Sequence, residues 1–96
     1  MNDNEPQSEI PFYDLQMSSG GRVRLPKQRC EQYGVDEGDT YDIAVWADRQ
    51  GVEGAVQLTD VEIGSQRRFV IPSNTRERYG IEVGDFIDIV LFPVEE

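Results

Sequence analysis

Hydrophobic and polar residues alternate along several short stretches of this chain. Phe12–Met17 sets Phe12, Asp14 and Gln16 against Tyr13, Leu15 and Met17, which predicts a half-buried strand. Arg22–Leu25 predicts a second strand, with Val23 and Leu25 toward the core and Arg22 and Arg24 outward, because side chains alternate across a strand. Thr40–Trp46 predicts a third, with Tyr41, Ile43 and Val45 on one face. Between the second and third strands, Pro26 has the fixed φ that opens a helix, and Gly34 is suited to the left-handed conformation that closes one. That predicts a helix of about two turns.

The same plan then recurs. A shift of 46 residues places Arg22 on Arg68, Pro26 on Pro72, Tyr33 on Tyr79, Gly34 on Gly80, Gly38 on Gly84, Asp39 on Asp85, Asp42 on Asp88 and Ile43 on Ile89. The second copy predicts strands at Leu58–Ile63, Arg68–Ile71 and Phe86–Phe92, with a helix at Pro72–Tyr79. Each unit holds about 35 residues, too few to bury a core alone. The two should therefore complete one domain over residues 12–92: repeat one at 12–46, a bend at 47–57 and repeat two at 58–92. Residues 1–11 read as a disordered N-terminal tail and 93–96 as a short C-terminal one. The fold class expected is mostly β with two short helices. Tyr33, Tyr79, Ile43, Ile89, Val45 and Leu91 are expected in the core. Trp46 and Phe92, on the face opposite Ile43 and Ile89, are assigned to the core ahead of a partner-binding patch.

Charge changes the picture. The chain carries a net −10, with nineteen acidic residues against nine basic ones. Lys27 is its lone lysine, and this composition looks like that of a halophilic protein from a salty cytoplasm. The cations are grouped. Gly20–Tyr33 and Ser65–Tyr79 each carry +3, so the rest of the chain carries −16. Two equivalent positive patches on an acidic body are what an anion-binding face requires. Cys30 is alone, which forbids an intramolecular disulfide and fits a reducing cytoplasm. With no histidine and no cysteine cluster, neither a metal site nor a cofactor is expected, and an enzyme is the weakest of the function classes. The opening residues are polar and acidic, so no signal peptide is expected, and no apolar run has the length of a membrane span.

GRVRLPKQRCEQYGVDEGDTYDI in the first unit and RRFVIPSNTRERYGIEVGDFIDI in the second carry Gly-Arg or Arg-Arg, an apolar strand, a proline, a short helix ending in Gly, an acidic Gly-Asp turn and an apolar strand. This order resembles the AbrB/SpoVT/MazE swapped-hairpin family, whose members typically read like GRIVIPKEIREKLGIKEGDKVEI. Members of that family are usually homodimers of one unit, with interleaved strands and arginines presented to DNA. The resemblance implies a swapped-hairpin β-barrel formed here as an intramolecular pseudo-dimer. The family's loop arginine corresponds to Arg22 and Arg68. Its lysine after the proline corresponds to Lys27, replaced by Ser73 in the second unit. Its helix arginine corresponds to Arg76, replaced by Cys30 in the first, and its helix lysine to Arg78, replaced by Gln32. Gly21 keeps the glycine before the loop arginine, where the second unit has Arg67. An apolar helix position is filled by Arg29 and Thr75. The two halves therefore need not contact DNA alike.

The function expected is sequence-specific binding of double-stranded DNA by a transcriptional regulator. Arg22 and Arg68 would anchor the composite face, because a guanidinium presents a planar fork to phosphate or guanine. Arg24, Lys27, Arg29, Arg67, Arg76 and Arg78 would add flanking phosphate contacts. The bland reading has these arginines paired with the surplus carboxylates, Arg78 with Glu82 for instance. The competing function is a protein-interaction module, an antitoxin-like or assembly partner, binding through Trp46 or Phe92. Asp42 and Asp88 read as outward strand positions near a turn rather than a catalytic carboxylate pair, and Cys30 as a packed helix residue rather than a reactive thiol.

Overall fold

A computed structural model of the chain describes residues 9–47 and 56–94. The elements follow the predicted order twice: β1 (Ile10–Gln16), β2 (Arg22–Arg24), α1 (Lys27–Tyr33) and β3 (Thr40–Ala47), then β4 (Val56–Glu62), β5 (Arg68–Val70), α2 (Ser73–Tyr79) and β6 (Phe86–Pro93). The protein is mostly β with two short helices. Both helices stop in the left-handed conformation, at Gly34 and Gly80, whose N–H groups bond to the carbonyls of Cys30 and Arg76.

Strands pair between the units. A four-stranded antiparallel sheet has the order β1-β6-β3-β4, and β2 and β5 form a separate two-stranded ribbon. In the large sheet the first strand of each unit lies against the last strand of the other, and the two last strands meet in the middle. The register is symmetric about Ala44–Val90 in the large sheet and about Val23–Phe69 in the ribbon. Both pairs join residues that the 46-residue shift makes equivalent. Loop hydrogen bonds repeat in the same crossed fashion: Leu25 N–H to Arg67 O (2.8 Å) matches Ile71 N–H to Gly21 O (2.9 Å). Each half is thus closed by the other, as its small size demands. One buried cluster takes Phe12, Leu15, Val23, Leu25, Ile43, Val45, Phe69, Ile71, Ile87, Ile89 and Leu91 from both units.

Several expectations are corrected. β1 begins at Ile10 rather than Phe12, because Ile10 is buried and pairs with Leu91. The expected bend narrows, since Ala47 belongs to β3 and Val56 and Gln57 to β4. Pro93 ends β6 opposite Tyr41 instead of opening a tail. The rest of the expected tail and bend, residues 1–8, 48–55 and 95–96, lies outside the described residues.

The simple alternation of β1 also fails. Tyr13 and Asp14 together oppose the single residue Asp88, and Thr59 and Asp60 likewise oppose Asp42. These are β-bulges, which shift the side-chain phase, so Phe12 and Leu15 both face the core while Tyr13 is exposed. Asp14 and Asp60 hold φ of 59° and 54°, a left-handed conformation that aspartate adopts more readily than most side chains. Their freed N–H groups donate to Asp88 Oδ1 (2.9 Å) and Asp42 Oδ1 (3.0 Å) of the opposite unit. This gives Asp42 and Asp88 a role that strand pattern alone does not reveal. Asp42→Ala and Asp88→Ala are each expected to lower stability by about 1 kcal/mol, read as the shift in urea midpoint, while Asn at either place retains most of it. Equal loss with Asn would remove the side-chain oxygen from the account.

Tyr79 and Trp46 leave the core, being 38% and 41% exposed. In the first unit Arg29 lies over the rings of Phe12 and Tyr33, at 5.8 and 5.5 Å, and donates to Pro11 O at 2.9 Å. The second unit has Thr75 for Arg29 and Leu58 for Phe12, so Tyr79 lacks the cover that Tyr33 has. A hollow of about 250 Å³ remains, lined by Val56, Gln57, Asn74, Thr75, Arg78 and Tyr79. Trp46 does lie opposite the buried Val45, but that side of the sheet is covered only in part: Ala44 is buried, and Trp46 near the end of β3 is exposed.

Tyr41 is buried at the end of β3 and donates its hydroxyl proton to Asp39 Oδ2 at 3.3 Å. Burial first, then the Asp39 carboxylate, push its pKa from 10.0 up to about 12. The folded state therefore keeps this proton where the unfolded chain loses it. Stability from this group is complete below pH 10.0 and is lost as pH rises toward about 12. Tyr41→Phe is expected to flatten the alkaline fall in urea midpoint over that window. An unchanged slope would assign the fall to other groups.

Candidate nucleic-acid interface

The β2–β5 ribbon is built from two three-residue strands, RVR and RFV, whose central residues are buried. Strand alternation then forces Arg22, Arg24, Arg68 and Val70 to the outer side. Arg24 stands opposite Arg68, and Arg22 opposite Val70. Three guanidinium groups from both units thus share one face astride the symmetric register. Arg22 and Arg24 are exposed and Arg68 is half-buried. Arg24 donates to Gln66 Oε1 at 2.6 Å. Gln66 is held with φ of 58°, and its N–H bonds to Glu37 Oε2 at 2.8 Å. Among the described residues none of the three arginines is in an ion pair.

The other cations divide into two groups. Lys27 and Arg78 are exposed on the helices, and Arg78 lies 5.8 Å from the ring centre of Tyr79 rather than against Glu82. Arg29, Arg67 and Arg76 are half-buried and engaged with the main chain. Arg29 is fixed on Pro11 O with its Nε buried and unbonded. Arg67 Nε donates to Leu25 O at 3.4 Å, and Arg76 Nε to Ile71 O at 2.9 Å. Leu25 and Ile71 are equivalent residues, so the same carbonyl is capped by a guanidinium in each half, both times from an arginine of the second unit. In one place it comes from the loop before β5, in the other from α2. Nothing in the sequence signals this, because Arg67 reaches its acceptor 42 residues away.

Cys30 is buried beside this arrangement. Burial pushes its thiol above 9.0, opposed in part by the Arg67 guanidinium. No helix among the described residues is long and apolar enough to cross a membrane.

No family model matches the sequence, and no curated relative does. Among solved structures the chain is similar to PHS018 from Pyrococcus horikoshii, whose solution structure superimposes with a TM-score of 0.67 at 21% identity. The match covers 96% of this chain and 99% of that one. It establishes a shared fold over that length; at that identity it carries no function.

Proposed function

We propose that this protein is a sequence-specific double-stranded DNA-binding regulator of the cytoplasm, folded as a single-chain version of the AbrB-like swapped-hairpin dimer. The crossed pairing of β1 with β6 and β3 with β4 supports the swapped reading. The observation that carries the functional reading is the outward face of the β2–β5 ribbon, where Arg22, Arg24 and Arg68 meet across the two halves without an ion pair among the described residues. A two-stranded ribbon fits the major groove, and an arginine fork is suited to the O6 and N7 edge of guanine. Lys27 and Arg78, exposed on the helices, are placed to add phosphate contacts. Arg29, Arg67 and Arg76 hold the fold beneath that face and contribute to binding through it.

The acidic remainder of the chain repels DNA that is not held at the ribbon. In a salty cytoplasm, where the screening length at 1 M is about 3 Å, close hydrogen bonds must replace counterion release as the driving force. The test is selection from random double-stranded DNA at about 2 M KCl, far above the range in which counterion release alone sustains binding. An enriched motif supports the reading. A folded protein that enriches nothing overturns it.

A further inference from the structure

The outer side of the large sheet carries a second feature, unrelated to the arginine ribbon. Trp46 from the end of β3 and Phe86 from the start of β6 are 41% and 54% exposed, and together with Asp14, Ala47 and Asp88 they line a hollow of about 280 Å³. Asp88 uses Oδ1 to hold the Asp14 N–H. Among the described residues, Asp88 Oδ2 and both oxygens of Asp14 have no donor. Asp14 lines the hollow from the left-handed bulge of β1. Among the described residues no cation lines the hollow.

Two aromatic faces and two carboxylates make a complementary set. An aromatic ring attracts a cation over its face, and a carboxylate accepts the paired N–H groups of a guanidinium. Arginine suits both demands better than lysine, since its plane stacks while its fork bonds. The chain already uses this chemistry internally, with Arg29 over Phe12 and Tyr33 and Arg78 over Tyr79. The equivalent place in the other half carries Asp60, Asp42 and Phe92, but Thr40 stands where Phe86 does, so the aromatic pair exists on one side alone.

We infer that this hollow is a docking site for an arginine side chain of a basic partner protein, with the guanidinium stacked on Trp46 and Phe86 and bonded to Asp14 and Asp88. The −16 carried outside the two basic stretches draws such a partner toward the acidic body. This site is independent of the DNA reading and stands or falls apart from it.

Trp46 is the sole tryptophan, so its emission reports the hollow directly. The experiment titrates the full chain with an end-capped Gly-Gly-Arg-Gly-Gly peptide and with its citrulline counterpart, at the lowest salt that keeps the protein folded by circular dichroism. The arginine peptide is expected to give a saturable change with a dissociation constant on the order of 1 mM, and the citrulline peptide none. Phe86→Thr copies Thr40 of the other half, so the fold has a precedent for it. It is expected to weaken binding about tenfold. Asp14→Asn keeps a residue that tolerates the left-handed bulge, and it too should weaken binding. No response, equal response to both peptides, or a response untouched by both substitutions overturns the proposal. A Trp46 shift that grows with protein concentration alone, and reverses with peptide, would make a second copy the occupant and overturn the assignment to a partner.

Discussion

Replacing Arg22, Arg24 and Arg68 together with alanine is expected to remove DNA binding while leaving the unfolding transition in place. All three side chains leave the ribbon on its outer side, and among the described residues none holds a carboxylate, so their loss opens no cavity and strands no charge. Each good contact to a base edge is worth about 1–3 kcal/mol. Three such losses amount to at least about a hundredfold in affinity at about 1.4 kcal/mol per factor of ten. Lys27→Ala and Arg78→Ala should behave differently, weakening all sequences alike and lowering the log–log salt slope by about 0.9 for each phosphate contact removed. Arg29→Ala is the counter-control. It uncovers Phe12 and Tyr33 and leaves Pro11 O without its donor, so it should lower the melting temperature before it alters any contact with DNA. A triple variant that binds its selected site as well as wild type would end the ribbon hypothesis. Loss of binding only in step with loss of fold would do the same.

What could be read in the sequence was whatever depends on neighbours along the chain. Val23 and Phe69 are buried between outward arginines because a strand alternates, and Gly34 and Gly80 close the helices where the repeat predicts. The 46-residue shift also required that the halves complete one another, and the strand pairing is crossed accordingly. Most of the failures involve partners far away in sequence. Asp14 meets Asp88 across 74 residues, and that bond sustains a bulge which reverses the alternation of β1. Tyr33 and Tyr79 look identical as repeat positions. Their burial differs because Arg29 and Phe12 have no counterpart at Thr75 and Leu58. Among the six cations read as flanking phosphate contacts, three are held on carbonyls: Arg29 and Arg67 reach across 18 and 42 residues, and Arg76 turns back on Ile71 of its own unit. Grouped charge thus marked the stretches that carry these cations but could not separate the arginines that look outward from those held on main-chain carbonyls.

That division between the halves leads to the other large expected effect. Gly21 has φ of 77°, and a Cβ there would lie 2.6 Å from both Ile71 O and Arg76 Nε. Gly21→Ala is therefore expected to cost about 1–2 kcal/mol for the left-handed backbone and about 1–3 more for overpacking. In a domain of this size each kcal/mol lowers the melting temperature by about 4–8 °C. Gly34→Ala, where nothing lies within 4 Å, should lose only the backbone part. The equivalent of Gly21 is Arg67, which holds φ of 57° and carries a full side chain. It is tolerated because the equivalent of Arg76 is the small Cys30, and because Arg67 itself caps the Leu25 carbonyl that Arg76 caps as Ile71 in the other half. The pairs Gly21–Arg76 and Arg67–Cys30 are two solutions to one packing problem, and mixing them should fail. Gly21→Arg alone brings two guanidinium groups to Ile71 O, and Arg76→Cys alone leaves that carbonyl without its donor. The double variant Gly21→Arg/Arg76→Cys rebuilds the arrangement of the other half. It should be more stable than the sum of the single effects by about 1–3 kcal/mol, measured as a double-mutant cycle in urea. Additive losses would show that the two sites are uncoupled and that the exchange of arginine between loop and helix is incidental.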